Sequence, residues 1–148
     1  MEKIEKQGKF FCEIKFNEKL QKSKIIRFKN NKWQGLKSIP YKDTKGNWAF
    51  IERIPIFLSE NANFEVRYFE IAPGGKSSLE YHNHIHLVIC IKGKGKLRLG
   101  KSYRTIKYLD IVYIAPNEVH QLLNPFKEPF GFFCIVDRQR DRPIEIED

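Results

Sequence analysis

The stretch Glu80-Tyr81-His82-Asn83-His84-Ile85-His86 holds three of the chain's four histidines, and His120 is the fourth. Residues two apart on an extended backbone face the same way. Glu80, His82 and His86 therefore converge if the chain stays extended or turns tightly between them. Four titratable groups on one inward face are costly to bury without a partner. A divalent cation is such a partner, and imidazoles with one carboxylate suit iron, manganese, nickel, copper or zinc. A single histidine would be read as a hydrogen-bonded structural residue. For this cluster the two readings are a metal site and a surface histidine ladder.

On either side of the cluster the pattern is that of strands. Phe64 to Ala72 is β-prone and closes at Pro73-Gly74-Gly75, which reads as a breaker. Leu87 to Ile91 is a continuous apolar run ending at Gly93 and Gly95. Ile111 to Ala115 and Phe130 to Val136 are two more, the first ending at Pro116-Asn117 and the second at a charged tail from Asp137. Upstream, Phe10, Cys12, Ile14 and Phe16 alternate with polar neighbours, and Asn17-Glu18, Asn30-Asn31 and Asp43-Thr44-Lys45-Gly46-Asn47 read as turns. Helical spacing is poor outside Glu18 to Lys24. Short strands between closely spaced turn signals predict an all-β sandwich or barrel.

Composition narrows the class. A chain of 148 residues suffices for one domain with a real core. No apolar run approaches the roughly 20 residues of a membrane span, and Met1 to Phe10 lacks the apolar stretch of a secretory signal, so a cytoplasmic location is expected. Cys12, Cys90 and Cys134 are odd in number, far apart and set in apolar runs, which argues for buried thiols over disulfides or a thiolate zinc site. The net charge of +9 looks like a nucleic-acid signal until it is located. Residues 1–48 carry +8 of it, mostly as dispersed lysines, and no nucleic-acid-binding motif accompanies them. A solvated face explains that distribution better than nucleic-acid recognition.

With these residues in view, the sequence resembles the cupins. Their first motif runs Gly, five residues, His-x-His, three or four residues, Glu, six residues, Gly. Here Gly74 is followed at the same spacing by Glu80, His82, His86 and Gly93. Glu80 and His86 exchange the usual ligand types, so three imidazoles and one carboxylate survive. The second motif, counted back from His120, places Leu109 and Asn117 where glycines are usual and Ala115 where a proline is usual. His120 and Asn124 match literally. The likeness covers residues 66–136 and extends more loosely to small prokaryotic cupins of uncharacterised function.

The resemblance implies a double-stranded β-helix, the jelly-roll or cupin barrel, over residues 61–148. Residues 1–60 are expected to add strands that extend a sheet, cover an edge or swap into a partner. It implies that the strands ending at His82 and starting at His86 form a hairpin, with His120 facing them. Glu80, His82, His86 and His120 would then hold one divalent transition metal in the barrel mouth. His84 would sit at the hairpin tip, and a set of His82, His84, His86 and His120 is the alternative. Val88 and Cys90 continue the inward parity and predict an apolar floor. Tyr113, Gln121 and Arg67 are candidate substrate contacts, although Arg67 has cross-strand Glu65 or Glu70 as competing partners. The superfamily contains dioxygenases, isomerases, decarboxylases and lyases, so the fold alone chooses no reaction. The expectation is a metal-dependent enzyme acting on a small, anionic organic molecule such as a dioxygenase or isomerase, with a non-catalytic metal- or ligand-binding module as alternative. A homodimer is expected from the prevalence of twofold assemblies.

Overall fold

A computed structural model describes residues 22–147. The alternating stretch Phe10 to Phe16, the Asn17-Glu18 turn and Cys12 lie outside them, and Lys22 to Lys24 carry no helix. The described residues form strands and no helix. Strands β1 (Phe28–Lys29) and β2 (Lys32–Trp33) make a small hairpin. It turns at Asn30-Asn31, whose φ angles of 54° and 60° are the left-handed pair that such tight turns need. Trp33 then lies against Tyr68 and Phe133, with ring centroids 5.7 and 5.4 Å away.

The remaining strands are β3 (Ile39–Pro40), β4 (Ala49–Phe57), β5 (Phe64–Lys76), β6 (Glu80–Tyr81), β7 (His86–Lys92), β8 (Gly95–Leu99), β9 (Ser102–Ile106), β10 (Ile111–Ile114), β11 (His120–Leu123), β12 (Phe130–Asp137) and β13 (Ile144–Glu145). They join into one curled, wholly antiparallel sheet. One wall runs β10-β7-β12-β5-β4-β3, and the other is built on β11, which pairs with β8 and with β6. Strand β5 serves both. It pairs with β4 and β12 for most of its length, and its last residue, Lys76, pairs with Leu123 of β11. The expected break at Pro73-Gly74-Gly75 is therefore a bend inside a strand of 13 residues. Gly74 takes φ +82°, a conformation open to glycine, and the ladder is kept by Gly74 N–H donating to Asn124 O and Asn124 N–H donating to Gly75 O.

Burial alternates as the sequence pattern requires. His86, Val88 and Cys90 of β7 point inward, and Val88 and Cys90 are fully enclosed. Phe130, Phe132, Cys134 and Val136 of β12 face them, with Phe69, Ile71, Ile114 and Leu122 completing the centre. Each such side chain contributes about 1.5–3 kcal/mol when fully buried. Both described thiols, Cys90 and Cys134, are free and buried. The hairpin of β8 and β9 was not anticipated, although Lys96-Leu97-Arg98-Leu99 alternates and Gly100 follows it.

Two further differences concern the motifs. Strands β6 and β7 do not pair. β6 bonds to β11 and β13, β7 to β10 and β12, and residues 82–85 cross from one wall to the other. Leu109 and Asn117, in place of the motif glycines, keep the left-handed backbone at φ 69° and 63°. For leucine that conformation costs about 1–2 kcal/mol. The Leu109 N–H bond to Cys90 O, at 2.7 Å, helps to hold it there.

Candidate metal centre

His82, His86 and His120 come from three separate segments, and their ligand nitrogens all lie within 4.8 Å of one another. His86 is the first residue of β7, His120 the first of β11, and His82 follows β6 in the crossing segment. Glu80 stands directly opposite His120 in the β6–β11 pair. All four side chains are buried.

Hydrogen bonds fix which nitrogen of each ring is available. The His82 Nδ1 lies 2.7 Å from His84 O, and the His120 Nδ1 lies 2.8 Å from Glu118 O. A carbonyl only accepts, so each Nδ1 carries the proton and, in the neutral ring, each Nε2 carries a lone pair. Those two Nε2 atoms face each other at 3.2 Å. Opposed lone pairs at that distance call for a positive charge between them. A metal with metal–nitrogen bonds of 2.0–2.1 Å separates neighbouring ligand nitrogens by about 3.0 Å in an octahedron and about 3.4 Å in a tetrahedron. The spacing of this pair falls between these limits, and with the His86 nitrogen no more than 4.8 Å away the three imidazoles form a group that could hold a metal ion.

The electrostatics agree. Burial pushes the imidazoles of His86, His120 and His84 below the ordinary value, which keeps the rings neutral and able to ligate. Burial opposes the charge on Glu80, but the Lys42 ammonium and the Ser78 hydroxyl outweigh it and lower its pKa. Glu80 Oε2 accepts from Lys42 Nζ and from Ser78 Oγ at 2.5 and 2.6 Å. Ser78 in turn lies 3.0 Å from the Tyr41 hydroxyl, whose pKa burial raises.

His84 is buried beside the three, not exposed at a tip. Its ring stacks on His82 with centroids 3.8 Å apart and planes 6° from parallel. Its Nε2 is 3.3 Å from that of His86, and its Nδ1 is held at 2.8 Å by Asp141. Asp141 also accepts from the amides of Asn83 and His84. Slight burial works against that carboxylate, but these donors hold its pKa at about 2.

A cavity of about 500 Å³ opens in front of these residues, lined by Glu80, His84, His86 and His120. Arg67 lines it too, bonded neither to Glu65 nor to Glu70. Glu65 pairs with Arg140, Glu70 pairs with Lys92, and Arg67 Nη2 instead donates to Cys134 Sγ at 3.3 Å. The other two candidate substrate contacts stand apart from the cavity wall. Tyr113 lies on edge strand β10 with 58% of its surface exposed. Gln121 has the opposite parity to His120 and donates to Ser77 O at 2.9 Å. Sequence reasoning missed Tyr41, Lys42, Arg53, Arg140 and Arg142 as lining residues. For the four basic ones the signal, charge in the two flanks of the motif region, was diluted by the lysines dispersed through the first third of the sequence. Asn124, a literal motif match, is structural: its amide donates to Ile71 O and Glu128 O, and its oxygen accepts from Phe126 N–H.

Comparison with known proteins places this architecture. Residues 67–136 match the cupin domain. A 1-methylthio-D-xylulose 5-phosphate methylsulfurylase of Rhodospirillum rubrum is 36% identical over 114 residues, covering 76% of this chain and 72% of the relative. Among solved structures, a cupin-2 domain protein of the same organism superposes with a TM-score of 0.73 at 33% identity, covering 79% of both chains. A cupin 2 conserved barrel protein of Rhodopseudomonas palustris gives 0.73 at 34% identity, covering 78% of this chain and 80% of that one. The spacing of the two motifs, the curled sheet and these matches converge on one assignment: the chain belongs to the cupin family.

Proposed function

We propose that this cupin is a metal-dependent enzyme acting on a small anionic organic molecule. The reading rests above all on the facing Nε2 lone pairs of His82 and His120, 3.2 Å apart, with His120 lining the cavity. In it His82, His86, His120 and Glu80 hold one divalent ion. Glu80 has Oε2 occupied by Lys42 and Ser78, which leaves Oε1 for the cation. The stacking of His84 on His82 favours leaving His84 out, because an imidazole ligates in its own plane and two stacked planes cannot both contain one ion. When bound, the metal supplies an electrophile with an open position that can polarise a carbonyl or lower the pKa of water.

The chain's own residues do the rest. One carboxylate among three neutral imidazoles leaves the centre net positive, which attracts an anion. Phe69, Leu122 and Phe132 form the apolar part of the wall and exclude water. Tyr41, held protonated by burial, and Ser78 form a hydrogen-bonded path to Glu80 along which a proton can be held or passed. The Rhodospirillum rubrum relative is named for a methylthio keto-sugar phosphate as substrate. A name of that kind favours transfer of a sulfur-bearing group over dioxygen chemistry.

Metal analysis of the purified protein tests the reading, with about one equivalent per chain expected and His86→Ala or His120→Ala expected to abolish retention without unfolding the barrel. No metal after reconstitution defeats it. Turnover of keto-sugars and small carboxylates without oxygen uptake supports the reaction class, and binding without turnover across the panel favours a ligand-binding module instead. A homodimer is proposed through β10, which ends its wall and exposes Ile111 and Tyr113. A sedimentation mass equal to one chain excludes it.

A further inference from the structure

The cavity wall carries a second group of side chains that the metal centre leaves unused. Arg53 of β4 is in register with Phe69 of β5, and Arg67 is two residues from Phe69 on the same inward face. Both guanidinium groups line the cavity. Arg67 lies over the Phe69 ring, 5.0 Å from its centroid. The Nε atoms of Arg53 and Arg67 are buried and have no hydrogen-bond partner. Buried donors left unpaired are uncommon and costly, and guanidinium donors more so.

The carboxylates nearby are engaged elsewhere. Glu80 pairs with Lys42, Glu65 pairs with Arg140, and Glu145 accepts from the Asn47 amide. Asp43 lines the cavity but forms no ion pair with Arg53 or Arg67 among the described residues. Asp43 and Glu65 act on Arg53 only at longer range, so two guanidinium groups without a direct carboxylate partner remain on one wall, with Arg140 adjoining them. A monocarboxylate would neutralise one of them. A phosphate monoester carries close to two negative charges near neutral pH, and its three terminal oxygens can accept from two planar forks at once.

We infer that Arg53 and Arg67 form a phosphate subsite, and that the cavity takes a phosphorylated small molecule whose other end reaches the histidine centre. This rests on reading the cavity as a substrate site and names the substrate class for it. The guanidinium groups are placed to bind and orient; they take no part in bond making.

Calorimetric titration of the full chain, as purified and after chelation, tests it with D-xylulose 5-phosphate, D-xylulose, D-xylonate and inorganic phosphate as probes. The sugar phosphate is expected to bind at least about 30-fold more tightly than the free sugar or the sugar acid, an advantage that shrinks as salt is raised. Arg53→Gln and Arg67→Gln are each expected to weaken the sugar phosphate about tenfold or more and to leave D-xylulose unchanged. Inorganic phosphate is expected to bind the chelated protein as well. Equal affinity for the sugar and its phosphate overturns the subsite, as does equal affinity for the sugar acid or loss of phosphate binding on chelation. The comparison among probes uses the unaltered chain, so a variant that fails to fold does not remove the test. Failure of the metal reading looks different: no metal is found, while the phosphate preference stands and supports the subsite alone.

Discussion

Replacing Gly93 by alanine isolates what the last glycine of the first motif does. Gly93 takes φ +63° in the turn between β7 and β8, and a Cβ there would fall on the Pro129 carbonyl oxygen, with the Pro129 carbonyl carbon at 3.3 Å. That oxygen cannot move away easily, because Pro129 leads straight into Phe130, whose side chain is wholly buried. The left-handed backbone costs an alanine about 1–2 kcal/mol. Crowding against rigid backbone adds about 1–3 kcal/mol. The total of about 2–5 kcal/mol is a large part of a typical folding free energy and lowers Tm by about 5–15 °C in a chain of this size. Gly74→Ala is the matched control. Gly74 also has positive φ, at 82°, but nothing lies within 4 Å of its added Cβ, so it bears the backbone penalty alone. Thermal and urea unfolding of both variants, followed by far-ultraviolet circular dichroism, measures the difference. Equal losses in the two would refute the claim that the Pro129 contact makes Gly93 necessary.

Other expectations bear on the centre. Glu80→Gln should weaken metal binding by at least about tenfold, measured by competition with a chromogenic chelator, whereas His84→Gln should change it little; the reverse ranking would replace Glu80 by His84 in the ligand set. Asp141→Ala removes the acceptor of two amides and of the His84 ring. Faster hydrogen exchange at Asn83 and His84 and about tenfold weaker metal binding should follow, and unchanged exchange would count against it. For the metal-free protein the sign of the pH effect comes from the depressed imidazoles. The unfolded chain takes up protons from about the ordinary value of 6.5 downward, while buried His86 and His120 refuse them until a lower pH. Stability should therefore be complete above that value and fall as the pH drops through the window below it. A flat melting temperature between neutral and mildly acid pH would contradict this.

The barrel was legible because its strands obey a period of two. Val88 and Cys90 were expected to continue inward from His86, and both are fully enclosed. Motif spacing likewise anticipated that His120 would meet the histidine cluster, since spacing survives where residue identity drifts. Leu109 and Asn117 show the same economy, holding a backbone shape normally left to glycine. What the sequence concealed was strand partnership. Proline and two glycines at 73–75 signal a break, yet a bond donated to Asn124 by Gly74 and one donated by Asn124 to Gly75 carry β5 through it, and no local signal reveals a partner so distant. The same holds for Arg67. Neighbouring glutamates looked like its natural partners, but Arg140 and Lys92 arrive from later strands and take them. Tyr113 was close in sequence to the site but points away from it, because it pairs with Leu87 while its neighbour Ile114 takes the inward place beside His86.

The part of the chain that matches the cupin domain ends at residue 136 and begins at 67. Tyr41, Lys42 and Arg53 come before it; Arg140, Arg142 and Glu145 come after it, and all of them wall the cavity. The shared scaffold thus furnishes the imidazoles, Arg67 and the apolar wall, while the two flanking segments add further charged side chains around the same space. Because Lys42 also holds Glu80 and Asp141 holds the segment that carries His82, exchanging those flanks would change the charge of the wall and the bracing of the imidazoles together.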